Sequence, residues 1–323
     1  MIDWQPTSGP GTAARRAERL AAVRRFFAER DVLEVDVPAL SQACVSDPNI
    51  DSLEVTARLA GAKTLYLTTS PEYAMKRLLA SGYPDIFAIA RVFRDSELGR
   101  RHEPEFTLIE WYRRDFNLDA MARETCELIA AVLDRPALAT EYVTTSYRRA
   151  FADISGSDAL LAPLSDLVDL AETNAELRDA LGDDRDAWLD LVLSTRIAPA
   201  FPEDRLTVLT HYPASQAALA RLDESDPAVA LRFEVFLGEL ELANGYVELA
   251  DAREQRRRFD LEQARRRDAG RSSAPLDERF LAALESGLPD CAGVAVGFER
   301  LHMLYEGSDD IADVITFSFR DST

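Results

Sequence analysis

A chain of 323 residues, 47% of them hydrophobic, has enough apolar material for one large core or two modest ones, and disorder is not expected to dominate it. A formal net charge of -20 and a pI near 4.6 create a field that repels phosphate backbones, which argues against nucleic-acid binding through a broad basic face while leaving room for a local basic pocket. Cys44, Cys126 and Cys291 form no CxxC pair, the start "MIDWQPTSGPGTAARR" lacks a signal core, and no apolar run approaches the roughly 20 residues that span a bilayer. A soluble cytoplasmic protein with no zinc site and no membrane partner is expected.

Residues 1–14 read as a flexible lead-in, followed by helical periodicity through "AARRAERLAAVRRFFAER", with Leu20, Val23, Phe26 and Phe27 on one face. "VLEVDVPAL" reads as a strand stopped by Pro38. "LEVTARL", "KTLYLTT", "DIFAIARVF" and "FTLIEWYRR" are strand-like, with "SPEYAMKRLLASG" a helix started by Ser70-Pro71 and ended by Gly82. Residues 119–133 and about 158–198 are helical, the latter with a solvated acidic face. Strand character returns in "RLTVLTHYP" and in "RFEVFLGELELANGYVEL", where Gly238, Asn244 and Gly245 favour strand, turn, strand over a helix. An arginine-rich helix, "DAREQRRRFDLEQARRRDAGR", follows, and "CAGVAVGFERLHMLY" enters a helix through a glycine-rich turn. Strands and helices without a strict βαβ rhythm predict an α+β fold built on an antiparallel sheet flanked by helices.

Glu234, Glu241 and Glu248 recur every seven residues, and on neighbouring strands such acids can converge to hold Mg²⁺ on phosphate oxygens; surface acids are the plainer reading. Arg94 and Arg300 end the apolar stretches "IFAIARVFR" and "GVAVGFER", a placement that suits either a bidentate grip on phosphate or carboxylate or an internal ion pair. His102, His211 and His302 stand in unrelated settings. His102, beside Arg101, suits a nucleotide contact, and His302 suits helix packing. No GxxxxGK[ST] or GxSxG sequence is present.

In order along the chain, these segments resemble the catalytic core of class II aminoacyl-tRNA synthetases of the lysyl type. The helix through Phe27 and "VLEVDVP" with Pro38 resemble the first class motif, which implies a homodimer. "FRDSE…RRHEPEFTLIEWY" resembles the second and "GVAVGFERL" the third, while "TSPEYAMKRLL" and "ELANGYVELADAREQ" resemble lysyl-specific segments. The likeness covers about residues 15 to 320, so a single catalytic domain over 15–323 is expected, with no room for the anticodon-binding barrel of the tRNA-charging enzymes. A freestanding core of this kind is similar to the elongation factor P lysine ligases. That resemblance implies ATP-dependent activation of (R)-β-lysine, transfer to a lysine of elongation factor P, and no tRNA.

Residue by residue, the resemblance implies an ATP site through Arg94, Asp95, Ser96, His102, Glu103, Glu241, Leu242, Gly297 and Arg300. Arg94 would take the α-phosphate and the substrate carboxylate, Arg300 the γ-phosphate, and Gly297 would lie under the adenine. Glu234 and Glu241 would hold Mg²⁺. Ser70, Pro71 and Glu72 would line the backbone-side amine, and Glu110, Tyr112, Asn244, Tyr246 and Glu248 the distal ammonium. Ala295 stands where the tRNA-charging relatives have glycine, and its methyl group is expected to favour a β-amino acid, a difference worth about 1–3 kcal/mol.

Three positions depart from the family pattern: Ser96 for glutamate, Glu103 for asparagine, and Glu299 for aspartate. Glu97 or Glu103 is expected to supply the carboxylate missing at Ser96. The competing functions are a compact lysine ligase acting on another protein or amine, and a catalytically silent paralogue that binds lysine or a nucleotide. The presence of Arg94, Arg300, Glu234 and Glu241 counts against the silent paralogue.

Overall fold

The computed structural model describes residues 4–56, 58, 64–271 and 275–322, the side chains of 321 and 322 excepted. Ala57 and Leu59 of the "LEVTARL" strand, and Lys63 at the head of "KTLYLTT", lie outside the described residues. The chain forms two compact units. The first comprises Met1–Asp115, Ala131–Arg135 and Leu249–Thr323, and the second Phe116–Ala130 and Pro136–Glu248.

The first unit opens with α1 (Pro10–Ala28), β1 (Leu33–Glu34), β2 (Leu40–Ser41), β3 (Glu54–Val55), β4 (Leu65–Leu67), α2 (Glu72–Ala80), β5 (Ile86–Phe93) and β6 (Glu105–Arg114). Helix α1 begins at Pro10, inside the stretch read as lead-in, because a proline's fixed φ suits the first helical turn. Val23 and Phe27 are completely buried, while Leu20 is half-buried. Only Leu33 and Glu34 of "VLEVDVPAL" pair as a strand of the larger sheet, alongside β5. Helix α2 follows Ser70-Pro71 as expected and gives way at Gly82, whose φ of 95° is a left-handed conformation that favours glycine.

Strands β5 and β6 are antiparallel in the register Phe87–Trp111 and Ala88–Glu110. Because side chains alternate, one face of β6 carries Ile109 and Trp111 and the other carries Leu108, Glu110 and Tyr112. Phe27 of α1 stacks on Phe87 at 4.3 Å between ring centroids and meets Trp111 edge-on at 5.3 Å, so α1 seals the first face. Glu110 and Tyr112 are thereby committed to the opposite face.

The second unit contains most of α3 (Leu118–Leu133), then β7 (Val143–Ser146), α4 (Tyr147–Ser155), α5 (Leu164–Ala171), α6 (Ala175–Leu181), α7 (Arg185–Val192), β8 (Leu206–Pro213), β9 (Val229–Leu237) and β10 (Leu240–Val247). Strand β7 runs parallel to β8, and β8, β9 and β10 are successively antiparallel. Tyr147, Phe151, Trp188, Leu189, Tyr212 and Phe236 form the core under the helices. Gly238, at φ 55°, makes the turn between β9 and β10, and an added Cβ would meet the Glu203 side chain at 3.3 Å. The register of β10 shifts between Glu241, opposite Phe236, and Ala243, opposite Val235, so Leu242 has no cross-strand partner. This β-bulge puts Glu241 and Asn244, three residues apart, on the same face, since their partners Phe236 and Glu234 are two apart.

The chain then completes the first unit with α8 (Ala252–Asp268), α9 (Glu278–Gly287), β11 (Cys291–Gly297), α10 (Phe298–Glu306) and the short α11 (Phe319–Ser322). The "GVAVG" run, expected as a glycine-rich turn, is instead the body of β11, paired along its whole length with β6. Alternating Val294 and Val296, both buried, make it a strand, and its glycines keep the other face low.

Candidate active site

Two clusters collect most of the residues singled out in the sequence. In the first unit, the Ser70 hydroxyl donates to Glu110 Oε2 at 2.8 Å and the Tyr112 hydroxyl donates to Glu110 Oε1 at 2.8 Å. Ser70 Oγ also accepts from the Glu72 amide at 3.0 Å, which ties the start of α2 to β6. Glu110 is 2% exposed, and burial, followed by the charge of Glu72, pushes its carboxyl up to about 8. Ala295 lies directly across from Glu110 on β11 and Ala88 across from it on β5, so the Ala295 methyl stands next to the glutamate stem. Ala295 and Gly297 are half-buried, unlike the valines that alternate with them. Behind the 70–72 segment a cavity of about 110 Å³ is lined by Pro38, Cys44, Ser70, Pro71, Glu72 and Arg77 among others.

Arg94, at the end of β5, has its guanidinium 5.1 Å from the centroid of Phe106, and its Nε is buried without an acceptor among the described residues. A planar cation with a donor still to satisfy suits an anion. Glu97 Oε1 lies 3.4 Å from Arg94 Nη1, a reach made possible by the left-handed turn at Ser96, φ 65°, which ends the strand alternation. Asp95 and Ser96 are exposed in this turn, with the Ser96 amide bonded to Asp95 Oδ1. His102, at the tip of the following loop, sits 2.8 Å from Arg300 Nη2 through its Nε2. An arginine only donates, so this imidazole nitrogen is the acceptor.

Glu103 takes a different place from the expected ATP contact. It is 3% exposed, and its two oxygens accept from Ser318 Oγ at 2.7 Å and from the Phe319 amide at 3.1 Å. The Arg100 carbonyl accepts from the Ile311 amide nearby. The 94–103 loop is therefore fastened to the C-terminal segment, and the glutamate found in place of asparagine is its anchor. Of the two substitutes for the carboxylate missing at Ser96, only Glu97 lies against Arg94. Glu299 is buried and holds Arg16 and the Thr107 amide at 2.8 Å each, a structural junction between α10, α1 and β6.

In the second unit, Glu234, Glu241, Asn244 and Tyr246 share one face of β9 and β10. Burial, and then the negative charge of Glu241, raises the Glu234 carboxyl to about 7. Buried Arg232 reaches Glu234 Oε1 at 2.5 Å, donates to the Gln216 carbonyl at 2.8 Å, and lies over the Tyr212 ring at 4.4 Å. Asn244 Oδ1 is buried with no donor among the described residues, and Glu248 is 4% exposed at the end of the same face. Two mutually repelling carboxylates near an unsatisfied carbonyl oxygen suit a hard cation such as Mg²⁺. Among the described residues no group of three His, Cys, Asp or Glu side chains could hold a metal ion.

Four of the seven arginines of helix α8 are held by partners, while Arg253, Arg265 and Arg267 are exposed. Arg256 pairs with Glu278, Arg257 and Arg258 pair with Glu254, and buried Arg266 binds Asp51 and the carbonyls of Asp47 and Ile50. His302 is buried between Phe298 and Tyr305, as expected for packing. The sequence reading missed two cations. Lys76 Nζ is 2.6 Å from Glu72 Oε1 at 1% exposure, and Arg232 holds Glu234. Their spacings, i to i+4 on a helix and i to i+2 on a strand, were the available signals.

An antiparallel sheet scaffold with helices, an arginine at the end of one motif strand and another entering the helix after β11 define a class II synthetase core. The chain belongs to the class II tRNA synthetases of the D, K and N type, whose family profile matches residues 11–321. Within that class it is 42% identical over 318 residues to the elongation factor P (R)-β-lysine ligase of Haemophilus influenzae (strain PittGG), covering 98% of this chain and 97% of the relative. The proteins of the same name from Histophilus somni (strain 2336) and Salmonella paratyphi B (strain ATCC BAA-1250 / SPB7) are each 41% identical, with the same coverage. Among the described residues no helix is long and apolar enough to cross a membrane.

Proposed function

We propose that this chain activates (R)-β-lysine with ATP and transfers the β-lysyl group to the ε-amino group of a lysine on elongation factor P, as a cytoplasmic homodimer with one catalytic domain over residues 15–323. The observation that carries this reading is the buried Glu110, held by Ser70 and Tyr112 beside Glu72, because a carboxylate removed from water calls for a cationic ligand. The name shared by the relatives supports (R)-β-lysine as that cation.

In this reading Arg94 holds the α-phosphate and the substrate carboxylate, and Arg300, with His102 behind it, holds the γ-phosphate. The unpaired Leu242 backbone and the open Gly297 serve the nucleotide. Glu234 and Glu241 hold Mg²⁺, which supplies charge neutralisation to the phosphates. Glu72 takes the amine near the carboxylate, while Glu110, Tyr112, Asn244, Tyr246 and Glu248 take the distal ammonium. Ala295, pressed against Glu110, narrows the pocket for the displaced amine of a β-amino acid.

The substrate carboxylate attacks the α-phosphorus, the bond to the bridging oxygen breaks, and pyrophosphate leaves. The partner's amine, once deprotonated, attacks the carbonyl carbon of the adenylate and AMP departs with the C–O electron pair. No covalent nucleophile of the enzyme is required, so the protein contributes positioning and charge.

ATP–pyrophosphate exchange with (R)-β-lysine and with α-lysine, followed by transfer to elongation factor P or to tRNA, tests the proposal. Exchange favouring (R)-β-lysine and transfer to elongation factor P are expected. Exchange with neither amino acid would refute the enzymatic reading, and charging of tRNA would refute the partner.

A further inference from the structure

The start of the chain reads as a flexible lead-in, yet residues ahead of α1 are tied to the far end of the sequence. The Thr7 amide donates to the Thr316 carbonyl at 2.8 Å, and Thr7 Oγ1 accepts from the Ser318 amide at 3.0 Å, so two bonds of opposite direction hold the segments in register. Ser318 is completely buried, and its hydroxyl donates to Glu103 Oε1 at 2.7 Å. The Phe319 amide donates to Glu103 Oε2 at 3.1 Å. Just past Glu103, the Pro104 carbonyl accepts from the Arg94 amide at 2.9 Å. A single path therefore runs from Thr7 through Ser318 and Glu103 to the backbone of Arg94, wholly inside the first compact unit.

Thr7 is exposed, but the amide that it receives belongs to a residue that is not. A buried N–H deprived of its acceptor has no water to turn to, so the segment that carries it has to move. Movement of Ser318 reaches Glu103, whose carboxylate is 3% exposed and depends on residues 318 and 319 for hydrogen bonds. At the end of the path Arg94 keeps a buried Nε without an acceptor among the described residues. The grip of a planar guanidinium on an anion depends on where the fork is aimed, so a shift of the Arg94 backbone is felt by the ligand. We propose that Thr7 is a positioning residue of the nucleotide site, acting through Ser318 and Glu103 on the aim of Arg94. The inference rests on the assignment of Arg94 to ATP in the function proposed above. It makes the segment ahead of α1 a support of the ATP loop.

The test compares the full chain with Thr7→Val, which keeps the shape and removes the hydroxyl, and with Thr7→Ser, which keeps the hydroxyl. ATP–pyrophosphate exchange and the binding of a non-hydrolysable ATP analogue are both measured. Thr7→Val should raise the KM for ATP and weaken the analogue by about 3- to 10-fold, and Thr7→Ser should restore both. The KM for (R)-β-lysine should change less, because the hydrogen bonds of Ser70 and Tyr112 to Glu110 are untouched. Thr7→Val combined with Ser318→Ala should be no worse than the more severe single variant, since the two lie on one path. Unaltered ATP parameters in Thr7→Val, an equal loss in Thr7→Ser, or additive losses in the double variant would overturn the inference alone. If the unaltered chain binds the analogue but exchanges with neither lysine, the ligase reading falls while analogue binding by the Thr7 variants still decides the inference. If the unaltered chain does not bind the analogue, both fall.

Discussion

The two compact units each hold a pair of glutamates with one buried cation, Glu72 and Glu110 with Lys76 in the first, Glu234 and Glu241 with Arg232 in the second. The formal charge is the same, but the way the cation is held differs. Lys76 reaches Glu72 from the end of a flexible stem, and the neutral hydroxyls of Ser70 and Tyr112 donate to Glu110. Arg232 is clamped by a carboxylate, a backbone carbonyl and an aromatic ring together. A pair of carboxylates therefore does not declare its ligand by charge alone. Neutral donors leave Glu110 able to gain an ammonium, whereas a rigid guanidinium fixes one oxygen of Glu234, in keeping with the metal role proposed for that residue.

The largest test of this contrast exchanges the acids for amides. Glu110→Gln should reduce amino-acid kcat/KM by about 10³-fold in pyrophosphate exchange without altering the Mg²⁺ dependence, whereas Glu234→Gln should show its loss as a raised Mg²⁺ requirement. If both variants shift the same parameter, the two pairs do not have separate ligands.

Arg232→Met should destabilise the second unit by about 3–5 kcal/mol in urea unfolding, since it leaves Glu234 buried without its partner. An unchanged midpoint would mean that Arg232 is replaceable packing.

The pH dependence separates the pairs next. With the Glu110 carboxyl near 8, the free enzyme holds it protonated below that pH, so amino-acid kcat/KM should fall up to tenfold per pH unit below about 8. The limb should vanish in Glu110→Gln. For folding the sign is reversed. A carboxyl raised on folding contributes stability that is full below the ordinary glutamate pKa and is lost as pH rises through about 8, so chemical unfolding of the wild type relative to Glu110→Gln should show stability declining over that window.

The smallest effect is expected away from both pairs. Ser318→Ala removes one of the two donors to Glu103 and should raise the KM for ATP a fewfold, at a cost of about 1 kcal/mol in stability. An amino-acid KM that rises instead would place the C-terminal fastening at the wrong substrate.

What the sequence revealed depended on whether a residue's role is local. Helix α2, and strand β6 with Glu110 and Tyr112 on one face, follow from the Ser70-Pro71 start and the period-two alternation that are visible in the letters, whereas the hydrogen bond from Ser70 to Glu110 does not. Glu103 shows the limit: its partner is 215 residues away in the chain, and no local pattern announces a hydrogen bond to Ser318. The "GVAVG" run was ambiguous for another reason, because glycines mark both turns and strands whose surface must stay low. Lys76 and Arg232 were passed over because a charged side chain on an acidic protein reads as solvated until its burial is known.

The extra residue at Leu242 has an implication for how this protein can change over generations. Most residues of β10 could be exchanged one at a time with local effect, but losing a single codon at the bulge would turn Asn244 and Tyr246 through the sheet to its other side, leaving composition and helix content almost untouched. An in-frame deletion there would leave an outwardly ordinary chain with half of one candidate face missing, so an unchanged length around residue 242 is a better marker of a retained site among relatives than overall identity.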